Sequence, residues 1–220
     1  MTSAIIVAAG QGTRMGTGVD KLFLKLNGCP LLAHTWRRFD QAACIDEIIL
    51  VLRDGAQPSF NELARQQQFR KPFRLVVGGK ERQDSVWNGL AALPPEAEIV
   101  AIQDAARPCT SEALIAATVA AQHVTDTIKE SGNGKLIERT LDRSRLWAVQ
   151  TPQTFRVAVI RRALAEVRRR GMLVTDDTAA CELIAQPVQL VLSSQPNPKV
   201  TRPEDLLCVE ALLRASPRPA

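Results

Sequence analysis

The 220-residue chain has no tyrosine, and its aromatic share is only 4%. So few ring faces leave little for bases to stack on, which argues against a platform for single-stranded nucleic acid. No apolar run approaches the ~20 residues a membrane-spanning helix needs. The N-terminus enters a strand-like run with no basic-then-apolar leader, so no signal peptide is expected. The five cysteines (Cys29, Cys44, Cys109, Cys181, Cys208) are odd in number, scattered and never paired as Cys-x-x-Cys. That pattern speaks against a disulfide framework or a zinc site and for reduced thiols in the cytoplasm. His34 and His123 are solitary and take no role. Two nucleotide motifs are missing as well. No Gly-Lys-Ser/Thr closes a Walker loop, and three residues separate Gly12 from Gly16, where a dinucleotide fingerprint needs two. No acidic residue closes a second strand near position 30, which further disfavours a dinucleotide-binding oxidoreductase.

What is present begins at residue 4. Ala4 to Ala9 is a short apolar, β-branched run that reads as a buried strand. It ends in Gly10-Gln11-Gly12-Thr13-Arg14-Met15-Gly16, with Lys21 following. Glycine lets a backbone pass close to a bulky anion and take positive φ. Successive free N–H groups in such a loop form a nest for phosphate oxygens, and Arg14 and Lys21 add positive charge. An ordinary strand-to-helix turn has the same outline. Extended, the chain from Arg14 to Lys21 spans up to roughly 23 Å, so spacing alone does not make the two converge.

A hydrophobic share of 45% over this length suits one sizeable core. The net charge of +5 suits an anionic partner, nucleotide or nucleic acid. Strand-like runs alternate with helical patterns, which points to βαβ units and a mostly parallel sheet. Helices are expected at 30–39, 57–68 and 86–93, another opening at Ser111, and a further one over 156–170 carrying six arginines. Strands are expected at 47–52, 74–77, 99–103 and 188–192. The arginine-rich helix reads first as a solvated face with cations near its C-terminus. Residues 124–129 and 136–141 flank Ser131-Gly132-Asn133-Gly134 and read as a hairpin, an arm over about 124–147. Thr201-Arg202-Pro203-Glu204 reads as a capping box for a last helix to about Arg214, with a frayed tail beyond. No repeat or linker divides residues 1–220, so a single domain is expected.

Three strand ends carry glycine or charge: the Gly10 loop, the stretch from Gly78 to Ser85, and Asp104-Ala105-Ala106-Arg107-Pro108. In open α/β sheets ligands gather where strands deliver their carboxyl ends, so the three are expected to share one crevice. Asp104 there can accept from sugar or polyol hydroxyls or orient a metal-bound water, or it caps the next helix with Arg107 as its ion-pair partner. Gly79 and Ser85 suit a base or ribose; their plain alternatives are a turn and a helix N-cap. Asp176-Asp177 reads as a helix cap rather than a metal ligand pair. For nucleotidyl transfer the nucleophile is a phosphate already ionised at neutral pH. No general base is needed, and the protein must hold two polyanions together and offset charge in the transition state.

The ordered set Ala8-Ala9-Gly10-x-Gly12-x-Arg14-Met15-Gly16, Lys21, Gly79-x-Glu81-Arg82-x-x-Ser85-Val86, Asp104-Ala105-Ala106-Arg107-Pro108, Asp126-Thr127-Ile128-Lys129, Leu146-Trp147-x-x-x-Thr151-Pro152-Gln153-x-Phe155, Thr175-Asp176-Asp177 and Asn197-x-Lys199-x-Thr201-x-Pro203-Glu204-Asp205-Leu206 spans nearly the whole chain. In that combination it resembles the 2-C-methyl-D-erythritol 4-phosphate cytidylyltransferase family of non-mevalonate isoprenoid synthesis. The resemblance implies a Rossmann-like α/β fold with a protruding β-hairpin arm. It also implies CTP and methylerythritol phosphate as substrates, with Mg²⁺ bound mainly through the CTP phosphates and no metal held by protein side chains. Arg14 and Lys21 would match the pair that stabilises the pentavalent transition state, and Arg143 and Lys199 the residues that position the attacking phosphate. Thr127 and Thr151 would match hydroxyl contacts to that phosphate, Asp104 and Arg107 the polyol contacts, and Ala8, Ala9, Gly10, Gly12, Gly79 and Ser85 the CTP pocket. In that family the arm is exchanged across a homodimer, so Thr127 and Arg143 would serve the neighbouring subunit. Asp20 stands where the family usually has Pro, Gln103 where it has His and Pro198 where it has an aliphatic residue. The stretch from Arg107 to Thr127 is about ten residues short. The rival readings are a sister enzyme acting on ribitol 5-phosphate and a basic, non-catalytic nucleic-acid-binding domain. The latter needs a dispersed basic face, and here the basic residues gather at strand ends.

Overall fold

The computed structural model describes residues 1–10, 12 and 20–215. The expectations for Arg14 and for the tail beyond Ala215 fall outside them. In chain order the elements are β1 (Thr2–Val7), β2 (Lys25–Leu26), β3 (Cys29–Pro30), α1 (Leu31–Gln41), β4 (Glu47–Leu52), α2 (Gln57–Gln67), β5 (Phe73–Val77), α3 (Arg82–Ala91) and β6 (Ile99–Asp104). Then follow α4 (Glu112–Ile115), β7 (Val119–His123), β8 (Lys129–Glu130), β9 (Arg139–Thr140), β10 (Trp147–Arg156), α5 (Val157–Arg170), α6 (Asp177–Glu182), β11 (Leu190–Leu192) and α7 (Glu204–Ala215).

Seven strands form the central sheet in the order β11-β7-β10-β6-β1-β4-β5. β10 runs antiparallel to both its neighbours, and the other pairings are parallel. Helices cover both faces, as a buried parallel sheet requires. All six residues of β4 are buried, which is why its sequence is an unbroken apolar run. Its alternate side chains feed two cores. Ile48, Leu50 and Leu52 pack with Trp36, Phe39 and Phe60 of α1 and α2, and Val209 of α7 joins them. Ile49 and Val51 pack on the other face with Val86 and Leu90 of α3 and Ile160, Leu164 and Val167 of α5. Trp36 stacks on Phe69 at 4.2 Å between ring centres. Burying each such side chain contributes ~1.5–3 kcal/mol, and the two cores clamp the sheet from opposite sides.

The departures from the expected elements lie in the second half. The helix from Ser111 is a single turn, α4, and the chain then forms β7 in the central sheet. β10 carries Gln150, Thr151, Gln153 and a proline, so it did not read as a strand; its ladder to β7 breaks between Val149 and Gln153, where Pro152 sits. The hairpin is present, but its paired strands are two residues each, β8 against β9, and residues 131–140 are exposed throughout. It rises from the β7–β10 pair, where His123 and Trp147 lie ring to ring at 3.8 Å. At its turn, Asn133 Oδ1 accepts from the N–H groups of Lys135 and Leu136. α3 starts at Arg82, four residues before the expected start, capped by Glu81 and not by Ser85. Asp205, rather than Glu204, closes the cap of α7: its Oδ2 accepts from the Thr201 N–H, the Thr201 hydroxyl and the Arg202 N–H.

Candidate active site

The chain leaves β1 for β4 on one side and returns to β6 on the other, so the β1–β6 boundary is the topological switch point. The loops beyond these strand ends are stitched together: Ala105 N–H donates to Val7 O (3.1 Å), Ala8 N–H to Val51 O (2.6 Å) and Gly78 N–H to Leu52 O (2.8 Å). Thr35 of α1 donates to Ala105 O at 2.7 Å and fixes the turn after β6 from below. Gly78 is required by close approach: a Cβ there would stand 2.5 Å from the Ala9 Cβ and 2.8 Å from Ser85 Oγ. Gly12 has φ +64, which an L side chain rarely adopts.

These loops enclose a cleft of about 310 Å³. Ala8, Ala9, Gly10, Gly12, Lys21, Gly79, Ser85, Asp104 and Lys199 line it, so nine of the sequence-derived site residues converge. A smaller hollow of about 170 Å³ adjoins it, lined by Arg107, Thr151, Gln153 and Asp176, and the two share Arg82, Asp104 and Lys199. Thr127 and Arg143 line neither. Both lie exposed on the arm, where Arg143 donates to Thr125 O at 2.7 Å. Ser85 Oγ accepts from Gly79 N–H at 3.1 Å and donates to Glu81 O, so serine and glycine first hold each other.

Asp104 is the electrostatic centre. Its Oδ2 lies 2.8 Å from Lys199 Nζ and 3.7 Å from Arg107 Nε, and its Oδ1 lies 3.3 Å from Arg82 Nε. Burial works against its charge, yet Arg82, Lys199 and Arg107 hold its carboxyl well below the usual range. Burial lowers the Arg107 guanidinium. Arg82 is desolvated too, but Asp177 and Asp104 more than compensate and raise it. Arg82 also meets Asp177 at 2.9 Å, and burial pushes that second carboxyl up. Arg82 appears in the sequence motif without a role, in a stretch expected to be loop, and the structure places it at the start of α3.

The C-terminal segment completes the wall. Lys21 Nζ donates to Val200 O at 2.9 Å. Buried Asn197 donates through Nδ2 to Thr151 O (2.9 Å), and its own carbonyl accepts from Arg107 (2.6 Å). Thr151 Oγ1 accepts from Asp104 N–H at 3.0 Å, which leaves its hydroxyl proton for another acceptor. The result is a cationic wall beside Gly10 and Gly12, suited to two phosphate-bearing molecules side by side.

The 2-C-methyl-D-erythritol 4-phosphate cytidylyltransferase (IspD) family model matches residues 2–215. The chain belongs to this family. It is therefore an enzyme of the nucleotidyltransferase type. A relative bearing that name in Geobacillus kaustophilus is 42% identical over 96% of both chains. One in Pelotomaculum thermopropionicum is 39% identical over 97% of this chain and 94% of its own. The crystal structure of the Thermus thermophilus 2-C-methyl-D-erythritol 4-phosphate cytidylyltransferase matches with TM-score 0.78 and 32% identity, covering 97% of this chain and all of the other. That of the 4-diphosphocytidyl-2C-methyl-D-erythritol synthase of Anaerococcus prevotii matches with TM-score 0.83 and 29% identity, covering 97% and 96%.

Asp20 and Gln103 brace this site without lining either compartment. Asp20 accepts from Leu22 N–H at 3.1 Å to open the single turn that carries Lys21, and it pairs with Arg53. Gln103 is fully buried and donates to Thr110 Oγ1 at 2.9 Å, in the network that reaches Asn197. No helix among the described residues is long and apolar enough to cross a membrane.

Proposed function

We infer that the chain joins CTP to 2-C-methyl-D-erythritol 4-phosphate, giving 4-diphosphocytidyl-2-C-methyl-D-erythritol and pyrophosphate. The observation that carries this is the pair of adjoining compartments with Arg82, Asp104 and Lys199 in their shared wall. The larger takes the nucleotide: the Gly10–Gly12 backbone and Lys21 receive the triphosphate, and Gly79 and Ser85 the base and ribose. The smaller takes the alcohol: Asp104 and Arg107 meet its hydroxyls, and Thr151 and Lys199 meet its phosphate. That phosphate is anionic at neutral pH and attacks the α-phosphorus in line, so the side chains orient and neutralise rather than abstract a proton. Arg14 joins Lys21 in stabilising the transition state.

The cleft fits a Mg²⁺ delivered on the triphosphate. Of the carboxylates lining it, Asp104 is engaged by three cations and Glu81 by the cap of α3. The ion would be held by phosphate oxygens and would supply charge neutralisation to the leaving pyrophosphate. Thr127 and Arg143 act across a homodimer, in the site of the neighbouring copy. The reading is supported by an arm that exposes Leu136 and Ile137 by 71% and 66% and makes no core of its own. The enzyme works in the cytoplasm, as its unpaired thiols suggest.

Pyrophosphate release tests the reaction, with CTP and either methylerythritol phosphate or ribitol 5-phosphate, with and without Mg²⁺. Turnover confined to methylerythritol phosphate, requiring Mg²⁺ and lost in Arg14→Ala, is expected. Equal turnover of ribitol 5-phosphate would move the enzyme to CDP-polyol synthesis, and no turnover with either would refute the reading.

A further inference from the structure

Asp177 touches neither compartment, yet it holds the residue that stands between them. It opens α6, is 1% exposed, and accepts from Arg82 Nη2 at 2.9 Å. Its own N–H donates to Gln153 Oε1 (3.1 Å), and Gln153 Nε2 donates to Asp176 Oδ2 (2.8 Å), so β10 anchors the start of the helix. Asp176 caps the helix through Ala179 N–H at 3.0 Å, which leaves Asp177 free to turn inward. The Arg82 fork is thus split between a carboxylate behind the wall and one in it. Only Nε reaches Asp104, on Oδ1, while Oδ2 faces Lys199.

We propose that Asp177 is a positioning residue for the alcohol substrate: by holding one edge of Arg82, it keeps that guanidinium from closing bidentately on Asp104. A guanidinium with a single carboxylate prefers the two-bond, fork-to-fork arrangement. Without the Asp177 charge, Arg82 turns wholly to Asp104 and competes with Lys199 for Oδ2. Each Asp104 oxygen, already facing a cation, then loses the remaining lone pair that would accept from the alcohol hydroxyls. The inference rests on the reading above that Asp104 faces the alcohol, and it separates the two substrates kinetically.

The test is Asp177→Asn, which keeps shape and removes charge, assayed with each substrate varied in turn. KM for methylerythritol phosphate rises about ten-fold or more, the scale of one hydrogen bond to a charged group, while KM for CTP stays within about two-fold. A merely structural role for α6 is read from Thr178→Val, which removes the Thr178 hydroxyl bond to Asp176 (2.8 Å) without touching Arg82. That variant melts earlier with both KM values unchanged. Asp177→Glu keeps the charge one methylene away and gives an intermediate, equally selective rise; should the Asn variant not fold, it decides the matter alone. Unchanged kinetics, parallel rises in both KM values, or the same selectivity in Thr178→Val would overturn the proposal. Silence of the unsubstituted enzyme would instead fell the reading of the reaction, and this inference with it.

Discussion

Asn197→Ala strikes the joint that holds the C-terminal segment to the sheet. Asn197 is 1% exposed, its Nδ2 donates to Thr151 O at 2.9 Å, and its Oδ1 lies 3.2 Å from the Thr110 hydroxyl. Truncation leaves the Thr151 carbonyl buried and unpaired, whereas Thr110 keeps its contacts to Arg107 O and Gln103. One orphaned carbonyl and one weakened contact together cost about 2 kcal/mol. For a chain of this size that lowers Tm by about 4–8 °C. Lys199 lies two residues on, and Val200 O receives Lys21, so both cations lose their fixed seat. kcat/KM therefore falls about ten-fold, or 1.4 kcal/mol of transition-state stabilisation. Thermal unfolding and steady-state kinetics on one preparation measure both effects. A Tm within 1 °C of the parent, as about 0.3 kcal/mol would give, with unchanged kcat/KM, would refute this account of the joint.

Asp104 contributes stability with a definite pH signature. Its folded-state pKa is depressed, so the contribution is full above the unfolded value of about 3.9 and drains as pH falls below it. Urea unfolding should show the gap between parent and Asp104→Asn widest near neutrality and shrinking below about pH 4. Gly89→Ala would place a Cβ 2.8 Å from Ile5 Cγ2 and 3.0 Å from Val51 Cγ2. The overpacking, ~1–3 kcal/mol, should outweigh the ~1 kcal/mol gain in helix propensity, and chemical denaturation will show a net loss. Iodoacetamide should modify exposed Cys208 and Cys44 in the native protein, as read by mass spectrometry. Cys109 and Cys181, buried and with thiols pushed up to about 11, should react only after unfolding.

The first half of the fold was legible because its strands are buried on both faces. Ile48 to Leu52 is apolar at every position, and α1 shows its buried stripe at Leu31, Leu32, Thr35 and Trp36. The second half hides its strands. β7 is Val-Ala-Ala-Gln-His, too alanine-rich to stand apart from the helix expected at Ser111. β10 interleaves glutamine and threonine because its carboxamides and hydroxyls serve the site and the start of α6. The glycine loop, Lys21 and Asp104 stood out as glycine and charge after strand-like runs, each with an ordinary structural alternative, and Lys199 stood out only through the family motif. The structure brings all of them to one cleft. Arg82 and Asp177 did not stand out. Arg82 falls in a stretch that reads as a glycine-rich loop and Asp177 in one that reads as a helix cap, and only the tertiary pairing of α3 with α6 brings them together.

The most direct test of the central claim is identification of the products by ³¹P NMR and mass spectrometry, after incubation with CTP, methylerythritol phosphate and Mg²⁺. The account predicts a new pair of diphosphate-bridge resonances, a mass equal to CMP joined to the alcohol phosphate less water, and pyrophosphate in equal amount. CMP and pyrophosphate without incorporation of the alcohol, or unchanged CTP, would contradict it.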